Sequence, residues 1–541
     1  MQSEKFQKNE RPNFVLIMTD TQATNVLGCY GHPELRTPRI DGLAAQGITF
    51  DRAYTTSPLC TPARAALFTG RYPQNCGAWV NGLPLGTSFP HMGQRFRDLG
   101  YKTGYTGKWH LDGHDYFGNG RCPDGWDDAY WYDGRRHLDS LSDEERLLWR
   151  QGLRTYEALK EHDVQADWCW GHRVSDRAVS FLEAASQGQE HQEQPFLLVV
   201  SYDEPHGPFT CPPEYVEPFL DYNYPLGPAA FDDTATKPAH QQEWAAMRER
   251  LGHSRDEHAQ ITPLYFGCNS FVDQEIGRVI DAVDRFSPDN TWIVFTSDHG
   301  EMMGSHGINS KGATVYQDMA NIPLIVRPPR GRLAARAGSR IGAAVSHADV
   351  LPTFLDLASA EVPPALEGGS LTPMLRGDGG ADDPERSVFV VFHRYEMPGD
   401  AQGGFTPMRA IVKGDRKLAL HLLDTDELYD LSDDPHELHN RIEEPSSAAV
   451  RDALHDELID WMYAVRDPFR SPAWERRPWR DPSTYRLTWQ GGWQGKRQGW
   501  EDGYAPSRLE YGTGLPLEAG HGASQTARTA QPANRSGAAP A

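Results

Sequence analysis

Basic residues are under-represented in this sequence. Its 541 residues include 53 lysines and arginines against 75 aspartates and glutamates, which gives a formal net charge of −22. A protein that binds the nucleic-acid backbone normally has the opposite balance, because phosphates attract clustered basic side chains. We therefore predict no nucleic-acid partner, and we expect an anion to bind only where basic side chains gather locally.

Cysteine is scarce and unpatterned. The 7 cysteines show neither a C-x-x-C pair nor the Cys/His spacing of a zinc site, a pattern that favours reduced thiols in a cytosolic protein. The N-terminal stretch MQSEKFQKNERPNF lacks the apolar segment of a secretory signal. No run approaches the roughly 20 apolar residues needed to span a bilayer. We therefore expect a cytoplasmic protein without membrane contact.

Apolar runs alternate with amphipathic segments along most of the chain. The runs NFVLIMTD (13–20), PFLLVVSY (195–202) and TWIVFTSD (291–298) predict buried strands of a parallel sheet. TPRIDGLAAQG (37–47) predicts a helix, with Thr37 as its N-cap. The alternation of such strands and helices is typical of a doubly wound α/β domain.

The texture of the sequence changes near residue 385. Short strand-like segments follow, then a helix-like segment, then a region rich in Trp and Arg, and finally an Ala/Gly/Ser/Thr-rich end. Such an end is typical of disorder. We predict a large N-terminal domain over 1–385, a smaller α+β subdomain over 386–465, an extended arm over 466–516 and a disordered tail over 517–541. The arm is a candidate for contacts between subunits of a homo-oligomer.

Polar residues follow several of the predicted strands. Because ligands bind at the carboxyl ends of strands in such sheets, we expect these side chains to lie close together. Two carboxylates and an imidazole favour a divalent-cation site, in which oxygen ligands suit Ca²⁺ or Mg²⁺ and the imidazole favours Mn²⁺. The residues are Asp20, Lys108, His110, His206, Asp298 and His299.

Two further cations belong to the same set. Lys311 lies in MMGSHGINSKG, downstream of Asp298, and Arg64 lies in CTPAR. A single lysine or histidine is more often structural than functional, so the prediction depends on their grouping. Together with a metal ion, these basic groups predict a positive pocket that binds a small tetrahedral anion or its ester.

The segment SPLCTPARAALFTGRYP (57–73) allows three interpretations of Cys60: a small buried hydrophobe, a thiolate nucleophile, or the precursor of another group. Pro62 suits the first turn of a helix and Gly70 suits its end, so Cys60 lies where the helix dipole favours a thiolate. A soft thiolate suits a hard-cation site poorly. This mismatch favours the third interpretation, in which Cys60 becomes an oxygen species.

Several motifs resemble landmarks of the sulfatase family within the alkaline phosphatase superfamily. CTPAR matches the C-x-P-x-R signature. Further motifs occur before and after it, in the family's order along residues 13–440: GCYG, TGRYP, GKWH, PHGPF, SDHG, HADVLPTFLDLA and ELYDLSDDPHELHN. The resemblance implies an alkaline-phosphatase-like α/β fold, with a large mixed, mostly parallel sheet flanked by helices and a smaller C-terminal α+β domain. It also implies a sulfuric ester hydrolase that cleaves a sulfate monoester of a small carbohydrate or aryl alcohol.

The resemblance further implies a role for each candidate residue. A formylglycine-generating enzyme converts Cys60 to Cα-formylglycine; one hydroxyl of its hydrate attacks sulfur, and the second allows the sulfate to be expelled. Asp20, residue 60, Asp298 and His299 ligate one divalent cation, with Ca²⁺ favoured over Mn²⁺ or Mg²⁺. The remaining roles are these: Arg64 and Lys108 hold the formylglycine and the ester oxygens, His206 or Lys311 protonates the leaving alcohol, and His110 takes the proton of the second hydroxyl.

The sequence departs from the family pattern after Asp20. Many sulfatases have two adjacent aspartates there, whereas this chain has Thr21 and Gln22, and His299 stands where asparagine is frequent. Related phosphonate monoester and phosphodiester hydrolases also use formylglycine with one Asp plus an Asp-His pair, so they are the alternative function. GKWH retains the sulfatase lysine and histidine and favours a sulfatase. A catalytically inactive relative is a third interpretation, against which the intact candidate residues argue.

Few features of the sequence indicate which alcohol the substrate contains. Several aromatic residues are candidates for lining the entrance of the site, although core or surface packing is slightly favoured for each. They are Trp109, His114, Trp131, His137 and Trp170.

Overall fold

The computed structural model of the chain describes residues 11–187, 194–222, 224, 227–250, 255–378, 382–395 and 405–485. These residues belong to one compact unit, which ends at Leu487. Most of the predicted arm (486–516) and all of the predicted tail (517–541) lie outside the described residues. Among the described residues, no helix combines the length and apolar character needed to cross a membrane.

Nine of the described strands form one mixed sheet, with the order β4-β3-β5-β1-β6-β7-β2-β8, and β9 pairs with β2 beside this path. The pairs β3–β4, β3–β5, β1–β5, β1–β6, β2–β8 and β2–β9 are parallel, whereas β6–β7 and β2–β7 are antiparallel. The bounds are β1 Asn13–Thr19, β2 Ile48–Tyr54, β3 Lys102–Gly107, β4 Trp131–Tyr132, β5 Phe196–Ser201, β6 Thr291–Ser297, β7 Asn321–Arg327, β8 Ser339–Ile341 and β9 Val345–Ser346. The predicted mixed, mostly parallel sheet is thus confirmed.

Helices cover both faces of this sheet, because alternate residues of its strands point to opposite sides. Phe14, Leu16 and Met18 of β1 pack in the core beside α2, α3 and α12. Val15 and Ile17 pack in the core beside α1, α7 and α10. The bounds in the catalytic region are α1 Pro38–Gln46, α2 Cys60–Thr69, α3 Met92–Asp98, α4 Gly134–Asp139, α5 Asp143–Leu147, α6 Tyr156–Glu161, α7 Trp170–Ser186, α8 Pro213–Val216, α9 Ala239–Arg250, α10 Arg255–Phe286, α11 Gln317–Ala320, α12 Val350–Leu357 and α13 Thr372–Arg376.

The C-terminal region forms a second, antiparallel sheet with the strands in chain order. Helix α14 packs on this sheet, and Leu454 and Leu458 meet Ile411 and Leu418 in a separate core. Trp474, in the first part of the predicted arm, is 1% exposed and belongs to the same core. The predicted domain boundaries stay predictions. The bounds are β10 Ser387–Arg394, β11 Phe405–Lys413, β12 Arg416–His421, β13 Glu427–Asp430, α14 Ala448–Ala464 and α15 Pro472–Glu475.

The sheet brings the carboxyl ends of five strands to one edge. Strands β1, β3, β5 and β6 are parallel to one another, so their carboxyl ends share that edge. Strand β2 runs antiparallel to β7, which runs antiparallel to β6, so β2 also ends there. The chain then enters α2 at Cys60, and the helix ends at Gly70 in a left-handed conformation with φ 66°. The fold therefore places the start of α2 above the carboxyl ends of the strands.

Candidate active site

Four predicted metal ligands meet at the carboxyl edge of the sheet. One ligand atom from each of Asp20, Cys60, Asp298 and His299 lies within 4.8 Å of all the others, and all four residues are buried. The Cys60 Sγ atom is 3.3 Å from His299 Nε2 and 3.7 Å from Asp20 Oδ1. The sequence assigned these residues to separate strand ends and one helix start, and the fold brings them into one group.

Arg64 lies between the two carboxylates of this group. Its Nε donates to Asp298 Oδ2 at 2.9 Å, and its Nη2 donates to Asp20 Oδ2 at 3.1 Å. Its Nη1 donates to the Lys108 carbonyl and to Ser201 Oγ, each at 2.8 Å. The guanidinium therefore fixes both carboxylates, and its predicted contact with formylglycine and the ester oxygens stays a prediction.

Two lysines flank the Cys60 sulfur. Lys311 Nζ is 2.7 Å from Sγ and 3.2 Å from His299 Nε2. Lys108 Nζ is 4.0 Å from Sγ and 2.7 Å from Asp20 Oδ2. Residue 60 thus lies between two ammonium groups, as the predicted positive pocket requires.

The ionisation of Cys60 follows from these neighbours. Burial and the Asp20 carboxylate both oppose a thiolate, but Lys108, Lys311 and His299 outweigh them and lower the pKa of Cys60 to about 6. Burial opposes the charge of Lys311 too, yet Cys60 and Asp20 raise the pKa of its ammonium above the ordinary value. Lys311 therefore keeps its proton at neutral pH.

The two candidate histidines are neutral. Burial, Lys311 and Lys108 hold the pKa of His206 well below its usual range, and its Nδ1 donates to the Gly207 carbonyl at 2.8 Å. This hydrogen bond leaves Nε2 as the nitrogen with a lone pair. Burial and Lys108 lower the pKa of His110 to about 3, and its Nδ1 is buried without a protein partner. His110 also has a φ of 56°, which is rare for a residue with a side chain.

Sequence reasoning missed two residues of the site, Asp203 and Tyr116. Asp203 Oδ1 is 3.1 Å from Lys108 Nζ and accepts a hydrogen bond from the Tyr116 hydroxyl. The Lys108 ammonium lies 3.8 Å from the centre of the Tyr116 ring. Asp203 follows strand β5 just before PHGPF, which is a signal of the kind used above. Tyr116 lies in an irregular loop, where no periodicity marks it.

The departure from the family pattern after Asp20 has a structural counterpart. The Thr21 hydroxyl donates to Asp20 Oδ1 at 2.7 Å, and the Thr21 N–H donates to Asp298 Oδ1 at 3.2 Å. Thr21 has a φ of 65°, a strained value for a β-branched residue. The Gln22 side chain instead bonds with Thr19 and Asn269, whereas its backbone N–H donates to the His299 carbonyl at 2.9 Å. The Thr21 side chain therefore borders the cation site, and the Gln22 side chain does not.

Most of the aromatic candidates for the entrance are core residues. Trp109, Trp131, His137 and Trp170 are at most 4% exposed. Trp109 and Trp131 belong to one hydrophobic core, and Trp170 belongs to the other. Of the five, His114 alone is exposed. The structure thus supports the packing interpretation for four of them.

Comparison with known proteins agrees with this site. The family model for Sulfatase matches residues 12–360, and the model for N-sulphoglucosamine sulphohydrolase, C-terminal, matches residues 304–463. This chain belongs to the sulfatase family. The resemblance seen in the motifs is therefore confirmed, and the protein is a sulfuric ester hydrolase with the alkaline-phosphatase-like sulfatase fold.

This sulfatase is similar in sequence to two other sulfatases and in structure to a phosphonate monoester hydrolase. The uncharacterized sulfatase YidJ of Escherichia coli (strain K12) is 48% identical over 94% of this chain and 98% of its own. The N-acetylglucosamine-6-O-sulfatase of Bacteroides thetaiotaomicron is 27% identical over 80% of this chain and 83% of its own. The solved structure of the phosphonate monoester hydrolase of Agrobacterium radiobacter has a TM-score of 0.66 at 24% identity, covering 83% of this chain and 95% of that one.

Proposed function

We propose that this sulfatase hydrolyses a sulfate monoester of a small carbohydrate or aryl alcohol, through a Cα-formylglycine formed from Cys60 and with one divalent cation. The observation that carries the proposal is the position of Cys60. Its side chain lies at the start of α2, within the group of potential cation ligands and 2.7 Å from Lys311. The N-acetylglucosamine-6-O-sulfatase relative supports a carbohydrate ester.

The residues present fit a hard divalent cation. Asp20 and Asp298 lie side by side without solvent, so burial and the Asp20 charge raise the pKa of Asp298 to about 6. Arg64 offsets this repulsion only in part, and a cation would offset the rest. Asp20, Asp298, His299 and residue 60 would hold it, with Ca²⁺ favoured and Mn²⁺ or Mg²⁺ as alternatives. When bound, the cation would polarise the ester group and compensate its charge.

Conversion of Cys60 resolves the mismatch between a soft sulfur and hard oxygen ligands. As its hydrate, formylglycine supplies an oxygen nucleophile and a second hydroxyl that allows release of sulfate. The unconverted side chain is 1% exposed, and Pro62 and Arg64 of the same signature are buried. We therefore propose that the formylglycine-generating enzyme acts before this segment is buried by folding.

The other side chains position the ester and move protons. Lys108 and Lys311 approach residue 60 from two directions and would bind the ester oxygens as charge develops. Lys311 is the better donor to the leaving alcohol, because its Nζ lies 2.7 Å from the side chain of residue 60 and the Asp20 carboxylate, which conversion of Cys60 does not remove, favours its ammonium form. His206 presents the Nε2 lone pair, and His110 is a neutral base that would accept the proton of the second hydroxyl.

The phosphonate monoester or phosphodiester hydrolase function is the second candidate. It is favoured by the single aspartate before Thr21 and by the similar fold of the phosphonate monoester hydrolase. The retained Lys108 and His110 support the sulfatase function, and so does the 48% identical sulfatase relative.

A two-step experiment tests the proposal. Mass spectrometry of the Cys60 peptide, after co-expression with a formylglycine-generating enzyme, should show loss of the thiol and gain of an aldehyde. The matured protein is then assayed on sulfated mono- and disaccharides, aryl sulfates, phosphodiesters and phosphonate monoesters. An unmodified thiol would contradict the mechanism. A preference of more than about tenfold in kcat/KM for the phosphorus esters, about 1.4 kcal/mol, would contradict the substrate class.

A further inference from the structure

We propose that Asp203, oriented by Tyr116, lowers the positive charge of the anion pocket by one unit and so makes the enzyme prefer esters with one negative charge over esters with two. The anion pocket is the space around the side chain of residue 60 between Lys108 and Lys311. This inference rests on the proposed function of that site. It makes Asp203 a specificity-determining residue and Tyr116 a positioning residue.

Asp203 forms a buried ion pair with one of the two pocket lysines. The carboxylate is 3.1 Å from Lys108 Nζ, and the Lys108 and Asp203 side chains are 0% and 6% exposed. A carboxylate in this position lowers the electrostatic potential that the ammonium presents to a bound anion, and burial of both side chains weakens screening by solvent. Asp203 therefore acts on the pocket without belonging to the group of potential cation ligands.

Among the charged groups of the described residues around the pocket, Asp203 is the one whose charge offsets Lys108 after a cation has bound. Arg64 is bonded to Asp20 and Asp298, so its charge is already shared by these two carboxylates. A divalent cation held by these two aspartates would neutralise both of them. Asp203 is then the carboxylate that still offsets Lys108, while Lys311 has no second carboxylate at comparable distance.

This balance matters because sulfate and phosphate esters differ in charge. A sulfate monoester has one negative charge, whereas a phosphate monoester has nearly two at neutral pH. One added unit of positive charge in the pocket stabilises a dianion about twice as much as a monoanion, since the Coulomb energy is proportional to charge. Removing the Asp203 charge should therefore favour the dianion selectively.

Tyr116 contacts both Asp203 and Lys108 and so holds the two side chains in position. Its hydroxyl donates to Asp203 Oδ1, and its ring lies under the Lys108 ammonium at 3.8 Å, in a cation–π contact. Burial and the Asp203 charge hold the pKa of Tyr116 well above its usual range, so the hydroxyl stays a donor. The same ring contacts the rings of His110 and His206 at 5.4 and 5.2 Å between centroids.

Glu204 provides a matched control on the next residue. Its Oε1 accepts a hydrogen bond from the Gly171 N–H at 2.8 Å, and no contact joins its carboxyl to Lys108. Burial and the Asp203 charge raise the pKa of Glu204 to about 8, so at neutral pH its substitution by glutamine changes little charge. Asp203→Asn and Glu204→Gln are thus chemically parallel changes with different expected results.

The test measures selectivity at pH 7 with matured enzyme. The quantity is kcat/KM for 4-nitrophenyl sulfate divided by kcat/KM for 4-nitrophenyl phosphate, which share one leaving group. Asp203→Asn should lower this ratio about tenfold. Tyr116→Phe, which keeps the charge and the ring, should lower it about two- to threefold through a changed KM ratio, and Glu204→Gln should leave it within about twofold. An unchanged or raised ratio in Asp203→Asn would overturn the inference, as would an equal fall in Glu204→Gln.

A second pair of substrates separates this inference from the proposed function. Methyl 4-nitrophenyl phosphate has one negative charge and 4-nitrophenyl phosphate nearly two, so their ratio reports the same charge effect without a sulfate ester. If the wild type ignores sulfate, the proposed function fails while this ratio still tests Asp203. If turnover of Asp203→Asn is too slow, binding of both esters in a Cys60→Ala background gives the ratio of dissociation constants. Asp203→Ser supplies a second neutral side chain should the asparagine variant fail to fold.

Discussion

Two buried groups of charged residues in this sulfatase differ in how their charges are satisfied. The active-site cluster contains Asp20, Cys60, Arg64, Lys108, Asp298, His299 and Lys311. The C-terminal cluster is built on Arg477 and Asp426, whose side chains are 7% and 1% exposed. Both are removed from water, yet only the first brings like charges together.

The C-terminal cluster pairs its charges one to one. Arg477 donates from Nε to Asp426 Oδ2 and from Nη2 to Asp426 Oδ1, each at 2.7 Å. The Trp479 indole N–H and the His421 backbone N–H complete the bonds of the carboxylate. Such a fully bonded pair fixes the geometry of the chain around it and so has a structural role.

The active-site cluster leaves its charges in competition. Two carboxylates and a sulfur share three cations. Burial and the Asp20 charge raise the pKa of Asp298 to about 6, whereas the neighbouring cations, in spite of burial, lower that of Cys60 to about 6. Thr21 and His110 adopt left-handed backbone conformations beside it. Burial alone therefore does not mark a functional site. The mark is a set of buried charges that become balanced only when something else binds.

The largest expected effect is on turnover. Cys60→Ala should lower kcat on 4-nitrophenyl sulfate by about 10⁴-fold or more, because it removes the precursor of the nucleophile. Thermal unfolding should show a fold that remains intact. Cys76→Ala is the matched control, since burial raises the pKa of this second fully buried thiol to about 12 and it lies outside the cluster. Near-wild-type activity of Cys60→Ala would show that residue 60 does not supply the nucleophile. The functional difference between the active-site cluster and the C-terminal cluster would then be lost.

The next effect is on stability. Asp426→Asn should lower the free energy of unfolding by about 3 kcal/mol, because it leaves the Arg477 guanidinium buried without its counter-charge. The kcat/KM of the folded fraction should stay unchanged. Asp98→Asn, in an exposed pair with Arg97, should cost at most about 0.5 kcal/mol. Chemical denaturation measures both, and a loss of activity larger than the loss of folded protein would contradict a purely structural role.

A smaller effect should separate two candidate proton donors. Lys311→Ala should lower kcat/KM for alkyl sulfates about 10²-fold more than for 4-nitrophenyl sulfate, because a poor leaving group needs the proton. His206→Ala should show a weaker dependence, since His206 is neutral and its Nδ1 proton is committed to Gly207. A plot of log kcat/KM against leaving-group pKa gives the slope for each variant. A steeper slope in His206→Ala than in Lys311→Ala would reverse the assignment.

The smallest expected effect concerns cation affinity and pH. In the cation-free protein the pKa of Asp298 is raised to about 6, so at lower pH a cation must displace a proton. The affinity for Ca²⁺ should therefore fall at least about tenfold per pH unit below about pH 6, because His299, whose pKa Asp298 raises in spite of burial, must also be unprotonated to bind the cation. The shift of Tm on adding Ca²⁺ reports this, because binding stabilises the folded state. Asp284→Asn, which alters an ion pair with Arg327 outside the cluster, should keep the same pH profile.

Much of the fold could be predicted because its signals are local. The run NFVLIMTD is buried on both faces in β1, and TPRIDGLAAQG forms α1 from Pro38 to Gln46. The direction of β7 could not be predicted, because an apolar run such as IPLIVRPP is equally apolar in a parallel or an antiparallel strand. The Thr37 hydroxyl, expected to cap α1, accepts a hydrogen bond from the Gly28 N–H instead.

The residue types of the site, and the strand ends at which they lie, could be read from the amino-acid sequence. Motifs that can be recognised without knowledge of the fold contain Cys60, Lys108, Asp298 and Lys311. Which of these groups touch depends on how the chain folds. Folding placed Arg64 on two carboxylates, turned the Gln22 side chain away, and brought Asp203 and Tyr116 to Lys108. These contacts could not be read from the sequence, because periodicity and helix signals act over a few residues, whereas buried charges are satisfied by partners from distant segments.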